Sequence, residues 1–230
     1  MMIKILLVED DDFIANVVGY YLNTAGKYQL DCAKTAGEAM SCIRNSYDLI
    51  LLDILLPDDN GINLCQQIRK WHNCPILFIS CLDDDQNIIR ALNAGGDDFI
   101  TKPFDNKILE ARIQANLRRV ELDRREEPQR QIVTSIFSLE PETHTVVFPT
   151  QKLTLSTTEY KLLSFLVLHK GKCYPAKELY EQIWGYTSYG DARTVVVHIY
   201  NLRKKLTPYL EGLDCISNLP GKGYTFWLPD

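Results

Sequence analysis

Five residues in the first half of the chain could do chemistry together: Glu9, Asp10, Asp53, Ser80 and Lys102. Each stands at or just beyond the carboxyl end of a short apolar run, at 3–8, 49–52, 76–79 or 99–101. In parallel α/β sheets those strand ends form the binding edge. The spacing therefore predicts three carboxylates, a hydroxyl and an ammonium at one place. Clustered carboxylates repel unless a cation sits among them, and hard oxygen donors with room for water suit Mg²⁺. A carboxylate beside a metal and a lysine can attack a phosphoryl group, because both cations neutralise developing charge. The competing reading of the same residues is a plain acidic rim.

A second group lies at 191–206. Val195, Ile199, Leu202 and Leu206 fall on one stripe at helical spacing. Arg193, Val197, Tyr200, Asn201 and Lys204 fall opposite, with Thr194 and His198 at the edge of that face. Such a face suits a DNA major groove: Arg and Lys for phosphate or guanine, Asn for adenine, Val for a thymine methyl. The competing reading is an ordinary solvated helix face.

The elements that must position these groups follow from periodicity. Strands are expected near 3–8, 29–33, 49–52, 76–79 and 99–101. Helices are expected over 13–22, 36–44 (capped by Thr35), 60–70, 86–93 and 106–120. Continuous rather than alternating apolar strands imply a parallel sheet covered on both faces, a doubly wound α/β fold. Residues 121–131 are charged, contain Pro128 and lose any apolar face, which reads as a linker. Beyond it, alternation over 132–155 predicts short antiparallel strands. Helices follow over 157–169 (capped by Thr157 or Thr158), 176–184 after Pro175, and 191–206. The end, 215–228, reads as a hairpin turning at Pro220-Gly221-Lys222-Gly223. The expected organisation is a domain over 1–120, a linker over 121–131 and a second domain, α+β, over 132–230.

Composition sets limits on this reading. The 230 residues are 46% hydrophobic and 24% charged, enough for real cores and too apolar for disorder. No apolar run approaches a membrane span, and the N-terminus lacks the features of a signal peptide. Seven scattered cysteines without a C-x-x-C pair argue against a disulfide framework or a zinc site and for a reducing cytoplasm. Cys81 lies beside Ser80 and reads as structural. Charge is uneven: residues 1–122 carry 12 basic and 18 acidic side chains, net −6, and the remainder 13 and 12, net +1.

Four motifs in the first half occur together in order: Val8-Glu9-Asp10-Asp11, Leu51-Leu52-Asp53-Ile54-Leu55-Leu56-Pro57, Gly95-Gly96-Asp97-Asp98-Phe99 and Thr101-Lys102-Pro103-Phe104. Across roughly 3–120 the chain resembles the flavodoxin-like receiver domains of bacterial two-component systems. The resemblance implies that Asp53 accepts a phosphoryl group from a sensor histidine kinase. Glu9, Asp10, Asp53 and the Leu55 carbonyl would hold Mg²⁺, and Lys102 would pair with phosphoryl oxygens. Ser80 would swing onto the phosphate and Phe99 would turn inward behind it. The only catalysis implied is the domain's own phosphoryl transfer and dephosphorylation, so no enzyme acting on an external substrate is expected.

Two departures carry further expectations. Leu55 and Leu82 stand two residues after Asp53 and Ser80, where receivers admit or orient water, and both are aliphatic, which predicts slow self-dephosphorylation. Ile88 and Ile108 replace a basic residue and a glutamate that pair across receiver dimers. They are expected to form an apolar dimer surface, with Arg90, Asp97, Asp98 and Arg112 as its polar rim.

The second half is similar to OmpR/PhoB winged helix-turn-helix output domains. The motifs are Leu155-Ser156-Thr157-Thr158-Glu159-Tyr160-Lys161-Leu162-Leu163, Leu179-Tyr180-Glu181-Gln182-Ile183-Trp184, Arg193-Thr194-Val195-Val196-Val197-His198-Ile199, Leu202-Arg203-Lys204-Lys205-Leu206 and Gly221-Lys222-Gly223-Tyr224. The resemblance implies that 191–206, Arg203 included, enters the major groove and that the hairpin is a wing over the minor groove. It also implies that 185–190 faces RNA polymerase. Pro220 stands where the family usually has a wing-tip Arg, leaving Lys222 as the available cation, and Thr225 replaces another frequent Arg. With a net charge of +1, each copy should bind weakly and two copies on repeated half-sites tightly. The expected function is a transcription regulator that dimerises on phosphorylation. The alternatives are a constitutively dimeric regulator, a phosphotransfer enzyme and a winged-helix protein-interaction module.

Overall fold

A computed structural model describes residues 2–82, 84–125, 131–185, 192–210 and 212–229, with side chains described in the helix at 106–125 only as far as Leu117. The chain divides into two compact units at Leu117/Arg118.

The first unit alternates β1 (Ile3–Val8), α1 (Asp12–Thr24), β2 (Tyr28–Ala33), α2 (Ala36–Cys42), β3 (Leu49–Leu52), α3 (Gly61–Ile68), β4 (Ile76–Ser80), α4 (Asp85–Asn93), β5 (Asp98–Thr101) and α5 (Asn106–Arg125). The five strands are parallel in the order β2-β1-β3-β4-β5. The chain reverses direction across the sheet after β2, so the switch point lies between β1 and β3. Ile5, Leu7, Leu49, Leu51, Leu77 and Ile79 pack with Val18 and Leu22 of α1 and Leu109, Ile113 and Leu117 of α5. Leu6, Val8, Ile50, Leu52 and Phe78 alternate with them, point to the opposite face and are equally buried. Burial on both faces explains why these strands read as continuous apolar runs. Side-chain caps start the helices: Asp11 accepts from the Phe13 and Ile14 amides, and Thr35, Asn60 and Asp84 cap α2, α3 and α4. The helix α5 runs to Arg125, five residues into the expected linker. Glu, Leu and Arg favour helix, and no proline intervenes before Pro128. Residues 126–130 of that linker lie outside the described residues.

The second unit opens with an antiparallel sheet of β6 (Ile132–Val133), β7 (Ser138–Glu140), β8 (Thr145–Val147) and β9 (Lys152–Thr154). It continues through α6 (Thr157–Leu168), β10 (Cys173–Tyr174), α7 (Ala176–Trp184), α8 (Arg193–Leu206), a 3₁₀ turn at Thr207–Tyr209, β11 (Ile216–Leu219) and β12 (Gly223–Phe226). Ser156, not Thr157 or Thr158, caps α6. Its hydroxyl accepts from the Glu159 amide at 3.3 Å while its own amide donates to Glu159 Oε2 at 2.9 Å. That capping box removes two orphan donors at once and pins both threonines inside the domain. The two residues of β10 were too few for a period-2 signal; they turn the hairpin into a sheet of order β10-β12-β11. Gly223 has φ +105°, and a Cβ there would overlap the Tyr174 carbonyl oxygen, so only glycine lets β12 meet β10. The core joins Leu162, Leu163, Trp184, Val195, Ile199, Ile216 and Phe226. Tyr180 stacks on Trp184 at 4.5 Å between centroids.

Candidate functional site

The acidic site grows out of the sheet ladder. Just past the strands, the Glu9, Asp53 and Lys102 amides donate to the carbonyls of Ala33 (2.9 Å), Val8 (3.0 Å) and Ser80 (2.8 Å). The backbone positions of these functional residues are thus set by neighbouring strands. Lys102 Nζ lies 2.6 Å from Glu9 Oε2 and 2.5 Å from Asp53 Oδ2. The other Asp53 oxygen, Oδ1, accepts from the Leu55 amide at 3.1 Å, and Glu9 Oε1 accepts from the Asp11 amide at 3.4 Å. Glu9, Asp53, Ser80 and Phe99 are buried and Asp10 is exposed. Ser80 Oγ accepts from the Leu82 amide at 3.4 Å.

Burial pushes the Glu9 carboxyl above its ordinary value, and Lys102 offsets that only in part. Burial works against the Lys102 charge as well, but hydrogen bonds to Asp53 and Glu9 outweigh it and hold its pKa above the ordinary lysine value. Carboxylate oxygens of Glu9, Asp10 and Asp53 lie within 4.8 Å of one another. Three hard anionic donors, one of them open to water, fit a Mg²⁺ ion.

Sequence reasoning missed Gly61. Its amide donates to the Ile54 carbonyl at 2.8 Å, and a Cβ at Gly61 would overlap the Asp53 carbonyl oxygen. The start of α3 thus presses against the Asp53 backbone. The available signal was a glycine directly after a capping asparagine.

In the second unit, Val195, Ile199, Leu202 and Leu206 are buried, as the stripe predicts. The opposite face is narrower than expected. Thr194, Val197, His198 and Asn201 are buried too, with the His198 ring 5.9 Å from that of Trp184. These four expected DNA contacts are therefore buried rather than exposed in the chain by itself. The cause is that α8 packs against both α6 and α7, so more than one stripe is covered. The exposed residues are Arg193, Val196, Tyr200 and Lys204; Val196 was not among the expected contacts. Arg203 Nε donates to the Ile216 carbonyl at 2.6 Å, which ties this expected DNA contact to the hairpin base. Pro220 and Lys222 are exposed at the hairpin tip. Of the segment 185–190 only Gly185 is among the described residues, and Asp191 also lies outside them.

Comparison with known proteins assigns a family to each half of the chain. Residues 5–114 match the response regulator receiver domain, and residues 150–226 match the C-terminal domain of transcriptional regulatory proteins. The regulatory protein VanRB of Enterococcus faecalis is 39% identical over 225 residues, covering 97% of each chain. The transcriptional regulatory protein SpaR of Bacillus subtilis is 36% identical, covering 97% of this chain and 99% of its own. This chain is an OmpR/PhoB-type response regulator. Among solved structures, a RitR mutant superposes with a TM-score of 0.76 at 26% identity over 98% of this chain and 99% of its own. DrrB of Thermotoga maritima gives 0.51 at 26% over the same shares. The response regulator is thus a two-component transcriptional regulator, and both matched families are regulatory rather than enzymatic. No helix among its described residues is long and apolar enough to cross a membrane.

The expected dimer face of the receiver is corrected in four places. Ile88 is 3% exposed and belongs to the receiver's own core. Asp97 is buried, accepting from Arg69 Nη2 at 2.6 Å and from the Ile76 amide at 2.9 Å. Asp98 and Arg112 are buried against each other at 2.9 Å. Ile108 is half-buried against the α1–α5 core. Arg90 is exposed as expected, and beside it Ile89, which sequence reasoning passed over, is 42% exposed.

Proposed function

We propose that the regulator is switched by phosphorylation of Asp53 by a sensor histidine kinase, with Mg²⁺ as cofactor. The observation that carries this reading is Asp53 itself, a buried carboxylate held by the Lys102 ammonium on one oxygen and the Leu55 amide on the other. An Asp53 oxygen attacks the phosphorus of a phosphohistidine, the P–N bond breaks, and the imidazole nitrogen leaves with the electron pair and takes up a proton. Glu9, Asp10, Asp53 and the Leu55 carbonyl would hold the metal, which supplies charge neutralisation for the phosphoryl oxygens. Lys102 stays within reach of both Asp53 and Glu9 and balances charge from the protein side. Ser80 turns its hydroxyl onto the new phosphate, and Phe99 fills the space behind it.

The signal then passes as a change in association. Phosphorylated receivers form a homodimer through α4, β5 and α5, with the exposed Arg90 and Ile89 of α4 in the contact. Two winged-helix heads thereby reach repeated half-sites on promoter DNA in the cytoplasm, where α8 enters the major groove and Lys222 approaches the minor groove. RNA polymerase is the partner expected for 185–190. We assign 1–120 to the receiver and 132–230 to the DNA-binding domain.

Solution mass by light scattering tests this reading, with and without Mg²⁺ and acetyl phosphate, beside Asp53→Asn. The expected result is a monomer that becomes a dimer only with donor and an intact Asp53. A dimer formed equally by Asp53→Asn would overturn it.

A further inference from the structure

The loop that leads from Asp53 to α3 is tied to a second element by one side chain. Asp58 Oδ1 accepts from the Ala36 amide at 2.8 Å, and Oδ2 accepts from the Gly37 amide at 2.9 Å. These are the first two amides of α2, donors that a helix cannot satisfy within itself. The Gly37 and Ala36 hydrogen bonds hold the Asp58 carboxyl below its ordinary value. Thr35 serves the same helix end by a different route: its hydroxyl accepts from the Glu38 amide at 3.0 Å. Asp59, next to Asp58, stays local, accepting from the Asn60 amide at 2.7 Å and the Asn63 side chain at 3.0 Å.

The tether closes a circuit around the acidic site. On one side, the Glu9 amide donates to the Ala33 carbonyl at 2.9 Å, and Ala33 stands three residues before Ala36. On the other, Asp58 stands three residues after Leu55, with Leu56 and the φ-restricted Pro57 between them. The Leu55 amide is held by Asp53 Oδ1 at 3.1 Å, Leu55 bridges to Asn60, and the Gly61 amide returns to the Ile54 carbonyl at 2.8 Å. The grip of Asp58 on α2 thus links the backbone of Leu55 to the backbone of Glu9 without touching either site carboxylate.

We propose that Asp58 is a positioning residue for the metal: by gripping α2 it fixes where the Leu55 carbonyl stands relative to Glu9, Asp10 and Asp53. The inference rests on the reading of Mg²⁺ at those groups given above. Loss of an outer partner that orients a ligand weakens metal binding by about 10–100-fold. Asp58 is exposed and acts through three residues of backbone, so the low end of that range is expected.

The test uses the full-length, isotope-labelled protein without a phosphoryl donor. Amide chemical shifts are followed as MgCl₂ is added to the parent, Asp58→Ala and Thr35→Ala. The expected result is Mg²⁺ binding about tenfold weaker in Asp58→Ala. Thr35→Ala uncaps the same helix without releasing the loop, and should keep the parental affinity. With acetyl phosphate, Asp58→Ala should be phosphorylated slowly at low Mg²⁺ and at the parental rate once Mg²⁺ saturates, because Asp53 and Lys102 are untouched. Equal affinity in Asp58→Ala and the parent overturns the inference. So does an equal weakening in Thr35→Ala, which would trace the loss to the stability of α2. No response of the parent to Mg²⁺ would instead overturn the metal reading on which the inference rests.

Discussion

Arg112 Nη1 donates to Asp98 Oδ1 at 2.9 Å inside the receiver, and the same nitrogen donates to the Phe99 carbonyl at 2.7 Å. Both side chains are buried, so this pair joins α5 to β5 directly beside Phe99. Removing one member of a buried pair leaves the other charge uncompensated, which costs about 3–5 kcal/mol. Arg112→Ala is expected to lower receiver stability by that amount in urea unfolding. Unchanged stability with weakened self-association would return Arg112 to an interface role.

The α4 face gives a paired prediction. Ile88 packs inward and Ile89 outward. Ile88→Asp buries an unpaired carboxylate and deletes core contacts, so a loss of about 3 kcal/mol or more is expected. Ile89→Asp should leave stability within about 0.5 kcal/mol and lower the dimer fraction seen with acetyl phosphate. Denaturant melts and light scattering on the two variants separate these roles; equal destabilisation by both would contradict the burial difference.

These isoleucines also show where the sequence was readable and where it was not. The meeting of Glu9, Asp10, Asp53 and Lys102 was legible because each stands at or just past a strand end, and parallel topology brings strand ends together. The strands themselves were legible as continuous apolar runs. Phase on a helix was harder. Ile88-Ile89 and Val195-Val196-Val197 place like residues side by side, so periodicity cannot choose which one faces inward. The choice is made by tertiary packing, through the neighbours α6 and α7 in the case of α8. Charged residues misled for a related reason: Asp97, Asp98 and Arg112 look like surface groups until Arg69 and one another are found at hydrogen-bonding distance.

A pH-dependent contribution is expected from Glu110 on α5. Its carboxylate meets Lys27 Nζ at 2.8 Å and accepts from the Tyr21 hydroxyl at 3.0 Å. The Lys27 hydrogen bond, joined by that of Tyr21, holds its pKa below the ordinary 4.5 of a glutamate despite some burial. A depressed carboxylate pKa contributes stability above the unfolded value that is lost as pH falls through the folded one. Because both partners are partly exposed, the expected cost of Glu110→Gln at neutral pH is about 0.5–1 kcal/mol. Urea melts should show the gap between parent and variant closing below the carboxylate range. A gap that persists in acid would mean that packing, not charge, carries the contact.

The lifetime of the phosphorylated state should be set by what stands over Asp53. Leu55 follows it by two residues and is exposed, while its amide is already held by Asp53 Oδ1. Leu82 stands correspondingly after Ser80, its amide 3.4 Å from the Ser80 hydroxyl. Neither side chain can hydrogen-bond a water aimed at phosphorus, and each can obstruct its approach. One added hydrogen bond to the attacking water, if made only in the transition state, is worth about 1.4 kcal/mol, or roughly tenfold in rate. Leu55→Asn is therefore expected to hasten loss of the phosphoryl group by about that factor, without changing the fold. Phos-tag electrophoresis after removal of acetyl phosphate measures both decays. A parent lifetime of seconds, or identical decay in Leu55→Asn, would show that these leucines do not control access of water.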